Sequence, residues 1–399
     1  MKIKKRIMVL SLLLVLSAAY VIGALYGPKV GAVSVAKAEA PQKTATELAG
    51  KSKSAVSMDY KSGKVAFGKN AHDRLEIASM VKVMTALVVF EAIERGDLSL
   101  SDMVVASPNA ASMGGSQAFL DANSEYKVEE LLKTIIVASA NDSCVALAER
   151  IAGSVEGFVD LMNARAAELG MKDTYYANCT GLPAPNQYSS AYDVALKMRA
   201  LLRHEKFLEL AQVWMFDFEH PSGRKTSLSN TNKLLKGYQG CDGGKTGFTN
   251  DAMHCLAATA VRGGMRAIAV VVGAPDSKTR FFETSSLLND IFANYENKVV
   301  VVAGIELAEK ANVPKSKQKE LAVAAKDDLT FFDIKRSDKE LTTEVVLDAL
   351  SAPISEGATV GRIILKANGE AVCETELIAL HEITKISYFD IIDEFVANW

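Results

Sequence analysis

The stretch LEIASMVKVMTAL, residues 75–87, carries one lysine among residues that otherwise read as core. Lys82 stands three positions after Ser79, the spacing that sets two side chains on one face of a helix. A hydroxyl and an amine that meet there form an activated nucleophile, provided that the amine is neutral. An ordinary lysine titrates at about 10.4, so burial or a second cation has to depress it. A second lysine lies in CDGGKTGFTND. There Lys245 offers positive charge, Thr246 a hydroxyl donor, and Gly247 a point where a substrate backbone comes close. That set suits a substrate carboxylate. The third group is Ser139-Ala140-Asn141. Its serine hydroxyl can relay a proton, and its asparagine amide presents a donor and an acceptor to a peptide group.

Taken singly, these are ordinary residues. Ser79 also reads as a helix N-cap, Lys82 as a side chain snorkelling to the surface, and Lys245 as a solvated turn lysine. The ordered set points to a single site: S-x-x-K opening an apolar helix, S-x-N at a helix break, K-T-G leading into a strand.

The elements that must position these groups follow from the hydrophobic pattern. AVSMDYKSGKVAFGKN is a hairpin turning at Lys61-Ser62-Gly63. The helix opened by Ser79 puts Val83, Leu87 and Phe90 on one stripe and stops near Gly96. VEELLKTIIVASANDSCVALAERIAG reads as two helices broken at Ser139-Ala140-Asn141, and two more amphipathic helices follow. MHCLAATAVRGGMRAIAVVVGA is a hairpin of buried strands around Gly263-Gly264, placed just after the K-T-G segment, and a helix succeeds it. The fold class expected for residues 41–296 is therefore α/β (α+β), with helices around a mostly antiparallel sheet built from both ends of the segment. Residues 297–384 read as a small all-β domain with a hairpin at Asn368-Gly369 and no catalytic cluster. The tail, 385–399, is an amphipathic helix: Ile386, Phe389, Ile392, Phe395, Val396 and Trp399 share one face. It is expected either to dock or to lie at a membrane surface.

Composition narrows the function classes. Lys2, Lys4, Lys5 and Arg6 precede an uncharged run, Ile7 to Gly27, and two A-x-A sites end at Ala38 and Ala40. Residues 1–40 thus read as a secretory signal peptide or a signal anchor, which puts the rest on the extracytoplasmic face of the cell membrane or in the cell wall. The remaining residues carry 39 basic and 47 acidic side chains, a formal charge of −8. That excess of acid argues against a nucleic-acid partner. The five cysteines include no C-x-x-C pair and leave both free thiols and disulfides open. The five histidines are scattered without ligand spacing, so neither a metal nor a cofactor is expected.

The three motifs resemble the set found in penicillin-binding proteins and class A β-lactamases, with S-D-N there as the middle element. Across residues 50–385 the sequence resembles the D-alanyl-D-alanine carboxypeptidases, the low-molecular-mass penicillin-binding proteins of serine peptidase family S11. AASMGGSQAFL, VEELLKTIIVASAND, MNARAAELGMKDTYYANCTGL, YSSAYDVALKMRALL, NTNKLL and VVVGAPDSKTRF carry the resemblance beyond the short motifs. It implies a β-lactamase/penicillin-binding-protein-like transpeptidase domain followed by the β domain and the terminal helix. It also implies peptidoglycan stem peptides as substrates and β-lactams as inhibitors. On that pattern Ser79 is the nucleophile acylated by the penultimate D-alanine, Lys82 takes its proton, and Ser139 relays a proton to the leaving amine. Asn141 orients the substrate backbone and Lys82, Lys245 and Thr246 hold the terminal carboxylate, and Gly247 admits the substrate. The N–H groups of Ser79 and Phe248 form the oxyanion hole. Two positions depart from the pattern, Ala140 and Met253, where the family commonly has glycine. A β-lactamase would need a deacylating E-x-x-L-N segment, and none lies between Ser139 and Lys245. Transpeptidase or endopeptidase action on the same peptides, and non-catalytic binding, are the alternatives.

Overall fold

The computed structural model describes residues 48–390 and 392. The leader 1–40 and most of the tail 385–399 therefore lie outside the described residues. Strand β1 (Ser54–Asp59) turns through Lys61-Ser62-Gly63 into β2 (Val65–Lys69), the expected hairpin. A one-turn 3-10 helix, Ala78–Val81, then leads into α1 (Lys82–Glu94). Ser79 sits inside that tight turn, not at a helix N-cap, and the α-helix proper begins at Lys82.

A short ladder of β3 (Met103–Val105) with β4 (Glu125–Lys127) precedes α2 (Val128–Ala138) and α3 (Asn141–Ala152). The break between these helices is at Ser139, whose φ of 67° is left-handed and ends α2. Helix α4 (Val155–Glu168) is capped by the Ser154 hydroxyl and α5 (Ala191–Leu201) by that of Ser190. A second ladder joins β5 (Met215–Glu219) to β6 (Lys225–Ser229). Three long strands follow, β7 (Cys241–Thr249), β8 (Met253–Arg262) and β9 (Met265–Ala274), then α6 (Ser277–Asn294).

The main sheet has the order β2-β1-β9-β8-β7, with every pairing antiparallel. Both ends of the segment build it, as the pattern required. Strands β8 and β9 are buried on both faces, which explains their nearly unbroken apolar runs. Val56, Met58, Ile268 and Val270 face the core shared with α1, α2, α3 and α5. Ala55, Leu256, Ala269 and Val271 face Leu287, Leu288 and Ile291 of α6.

Seven further strands, β10 (Tyr295–Val301), β11 (Glu306–Asn312), β12 (Glu320–Ala325), β13 (Leu329–Ile334), β14 (Leu341–Leu347), β15 (Thr359–Ala367) and β16 (Glu370–Ala379), make the C-terminal lobe. Five of them form a sheet in the order β11-β12-β16-β15-β14, and β10 pairs with β13. This lobe has its own core, including Val313, Leu321, Val323, Ile363 and Leu377. It meets the first lobe through hydrogen bonds from Asn297 to Asp59 (2.7 Å) and from the Tyr295 hydroxyl to the Ala66 carbonyl (3.0 Å). The five cysteines are all free thiols.

A fully buried lysine also lies outside the motifs. Lys197 on α5 is fully buried, and its amine bonds the Tyr176 hydroxyl at 3.1 Å. Burial pushes this amine down to about 7. An unfolded chain holds that proton up to about 10.4, so between these values the unfolded state binds more protons and stability rises with pH. We expect the melting temperature to climb from pH 7 to pH 9, and Lys197→Met to remove part of that climb. Equal slopes in a thermal-melt series would exclude Lys197 as a source.

Candidate active site

Two chain segments meet around Ser79 at the start of α1. Ala78 has a φ of 48°, a left-handed conformation unusual for a residue with a side chain, immediately before Ser79. Lys82 is 1% exposed and donates to the Ser79 hydroxyl at 3.1 Å. Its second bond, at 2.5 Å, goes to the carbonyl of Thr180. Burial lowers the Lys82 amine from the ordinary lysine range, against smaller raising effects from Cys144, Cys179 and Asp142. The surface reading of this lysine is therefore wrong: on this strongly apolar helix the stem stays inside.

The Thr180 carbonyl is held by an Asx turn. Asn178 Oδ1 accepts from the N–H groups of Thr180 (3.1 Å) and Gly181 (2.7 Å), and the Cys179 carbonyl accepts from the Thr85 hydroxyl (2.6 Å). Gly181 passes against the nucleophile turn: a Cβ there would lie 2.1 Å from the Ala78 carbonyl oxygen and 2.9 Å from the Ser79 nitrogen.

The K-T-G segment is not a turn ahead of the buried strands. It lies within β7, the edge strand of the main sheet. Lys245 is 4% exposed and donates to the Thr246 carbonyl at 3.0 Å. Burial first, then the nearby Lys82 charge, push its amine well below the usual lysine range. The Thr246 hydroxyl donates to that of Thr231 (2.7 Å). The Thr231 N–H reaches the Val137 carbonyl (3.3 Å), tying β7 to the end of α2. Gly247 runs past Ser79: a Cβ there would lie 2.6 Å from the Ile77 carbonyl oxygen and 3.2 Å from the Ser79 nitrogen. Phe248 is exposed, its ring 4.4 Å from that of His254. Met253, where the family pattern has glycine, adopts a φ of 56° at the end of the β7–β8 turn.

From the other side, the Ser139 hydroxyl is buried without a hydrogen-bond partner among the described residues. Asn141 is buried, and its amide donates to the Gly114 carbonyl at 2.6 Å. The bonds of the Lys82 amine go to Ser79 and Thr180, so the expected role of Asn141 in orienting Lys82 finds no hydrogen bond among the described residues. Two contributors were not anticipated. The Thr180 carbonyl is a main-chain atom and leaves no residue-type signal. Arg280 on α6 is nearly buried and donates to the carbonyls of Gly247 and Cys255, each at 3.3 Å. Among the described residues no group of histidines, cysteines and carboxylates could hold a metal ion.

A buried amine on a serine hydroxyl, at the seam between a helical cluster and a sheet edge, is the arrangement that serine acyl transfer requires. Residues 40–276 match the D-alanyl-D-alanine carboxypeptidase family, peptidase S11, and residues 295–385 match the C-terminal domain of penicillin-binding protein 5. The chain belongs to the S11 family of D-alanyl-D-alanine carboxypeptidases: it is a serine carboxypeptidase and a penicillin-binding protein. It is 40% identical over 359 residues to the D-alanyl-D-alanine carboxypeptidase DacF of Bacillus subtilis, covering 90% of this chain and 92% of the relative. With DacC of Escherichia coli it shares 33% over 355 residues, 86% of each chain. The solved structure of penicillin-binding protein 5 from Haemophilus influenzae superposes with a TM-score of 0.71 at 31% identity, covering 87% of this chain and all of that one. A Streptomyces K15 DD-transpeptidase variant superposes with a TM-score of 0.58 at 26% identity, covering 61% of this chain and 98% of that one.

Proposed function

We propose that this carboxypeptidase removes the terminal D-alanine of peptidoglycan stem pentapeptides through a Ser79 acyl-enzyme. The observation that carries the reading is the buried Lys82 amine, 3.1 Å from the Ser79 hydroxyl. Ser79 Oγ attacks the carbonyl of the penultimate D-alanine while neutral Lys82 accepts its proton. The developing oxyanion is held by the Ser79 and Phe248 N–H groups, each worth roughly 3–4 kcal/mol by analogy with similar sites. The C–N bond then breaks, the proton returns to the leaving amine through Ser139, and water, with Lys82 again as base, hydrolyses the ester. A β-lactam would stop at the ester.

Lys245 and Thr246 take the substrate carboxylate, Gly247 lets the peptide lie along β7, and Asn141 holds its backbone. An anion beside Lys245 favours the charged amine there, and that charge favours neutral Lys82. Substrate binding thus prepares its own base. Domain roles follow: 41–296 performs the chemistry and 297–384 supports it. The exposed Tyr388 and Phe389 suit an interfacial tail rather than a span, and no helix among the described residues is long and apolar enough to cross a membrane. A signal at 1–40 and action at the extracytoplasmic face belong to the same reading.

The test is D-alanine release by the full chain from a soluble peptide ending in Lys-D-Ala-D-Ala, followed against pH. Because the base acts neutral, kcat/KM falls on acidification, with an acid limb below about 10.4. A rate that rises on acidification would remove Lys82 as base. Transfer of the acyl group to an amine, the activity named for the Streptomyces neighbour, is the second reading. Release without any added amine separates the two.

A further inference from the structure

Residues Gly114–Leu120 form neither helix nor strand, and their first residues pack against Asn141. Their main-chain groups are held by side chains and by one main-chain N–H. The Asn141 N–H donates to the Ser116 carbonyl at 2.7 Å, beside the amide bond to Gly114. Asp142 then accepts from the N–H groups of Ala118 (3.0 Å) and Leu120 (3.1 Å). It also accepts from Ser143 in its own helix at 2.9 Å. Asp142 is 1% exposed, and among the described residues it has no ion-pair partner. A buried carboxylate is costly unless its hydrogen bonds are satisfied, and here most of them reach across to the segment. The far end is fixed from the β5–β6 hairpin. Arg224 Nη2 donates to the Phe119 carbonyl (2.6 Å) and to the Asp121 carboxylate (2.8 Å), which also accepts from Ser222 (2.8 Å). Phe119 is held there at a φ of 64°, a conformation that a free segment would leave.

We propose that Asp142 and Arg224 are positioning residues that clamp Gly114–Leu120 from two sides into the wall of the substrate cleft. The proposal rests on the site assigned above. Neither residue touches the reacting atoms. A free segment of this kind samples many conformations, and only a fraction of them would present the wall. The apparent affinity for substrate falls by that fraction, while the chemistry of the closed complex is unchanged. Loosening the clamp therefore raises KM and spares kcat.

In Asp142→Asn one oxygen still accepts, but the amide nitrogen opposes the second N–H. Two measurements on the full chain decide the matter: amide hydrogen exchange, and steady-state release of D-alanine. We expect exchange at Ala118 and Leu120 to accelerate while β7–β9 stays as protected as in the wild type. We expect KM to rise about tenfold with kcat within about twofold. Unchanged exchange at these amides overturns the clamp. So does a loosened segment with unchanged KM. A fall in kcat alone would mean that Asp142 acts through its charge on Lys82, and would overturn it too. If Asp142→Asn does not fold, Arg224→Gln on the exposed hairpin takes its place. There KM should rise about threefold with kcat unchanged, and an unchanged KM overturns the proposal. A wild-type chain that released no D-alanine would sink the site reading, while the exchange comparison would still decide the clamp.

Discussion

Ser79→Ala is expected to abolish covalent labelling by penicillin and to lower D-alanine release by about six orders of magnitude, the scale on which removing a serine nucleophile acts. The fold should be untouched. Ser79 supplies one of the bonds to Lys82, and the Thr180 carbonyl at 2.5 Å supplies another, so the buried amine keeps a partner. The stability change should stay near 1 kcal/mol, about the size of one lost hydrogen bond. Intact-mass measurement after penicillin treatment, with a thermal melt, checks both. Labelling that persists in the variant would assign the nucleophile elsewhere.

Gly181→Ala should also slow acylation, by about a hundredfold, although position 181 carries no reactive group. The new methyl would lie 2.1 Å from the Ala78 carbonyl oxygen. That neighbour is main chain and cannot rotate away, so the turn before Ser79 must shift. Misplacement of a nucleophile by about 1 Å costs on the order of a hundredfold in rate. Gly153→Ala separates contact from backbone strain. Gly153 has nearly the same φ, 77° against 83°, with nothing within 4 Å of the added methyl. It should cost about 1 kcal/mol of stability and leave penicillin acylation unchanged. If the two variants acylate at the same rate, Gly181 is not what seats the nucleophile.

The meeting of Ser79 and Lys82 was legible in the residues, because it depends on side-chain types at short spacing. Ser79 and Lys82 share a helical face whatever the tertiary fold. The break read at Ser139-Ala140-Asn141 falls at the left-handed Ser139. Lys245-Thr246-Gly247 was placed one element early. The run Cys241-Asp242-Gly243-Gly244 has the composition of a turn, whereas in the structure these residues belong to β7. Glycine there serves close approach, as the Ile77 oxygen beside Gly247 illustrates. The Thr180 carbonyl was not legible at all, since every residue has a carbonyl and only the Asx turn at Asn178 aims this one. The short ladders β3–β4 and β5–β6 were missed for a related reason. Each alternates over too few residues to rise above its polar surroundings. The second of them nonetheless carries Arg224.

The order of strands in the main sheet also governs when the enzyme becomes an enzyme. Ser54 pairs with Val272, and the strand bearing Lys245 joins the sheet only through β8 and β9. During synthesis Ser79 and Lys82 emerge early, while the groups proposed to bind the carboxylate emerge late. Contacts this distant along the chain form slowly, because a long loop must close before they repay its entropy. Until β9 docks between β1 and β8, the Ser79 turn has no β7 beside it. A nascent or truncated chain therefore holds both Ser79 and Lys82 without a finished cleft, and reactivity toward penicillin should first appear only after residue 274 has been made.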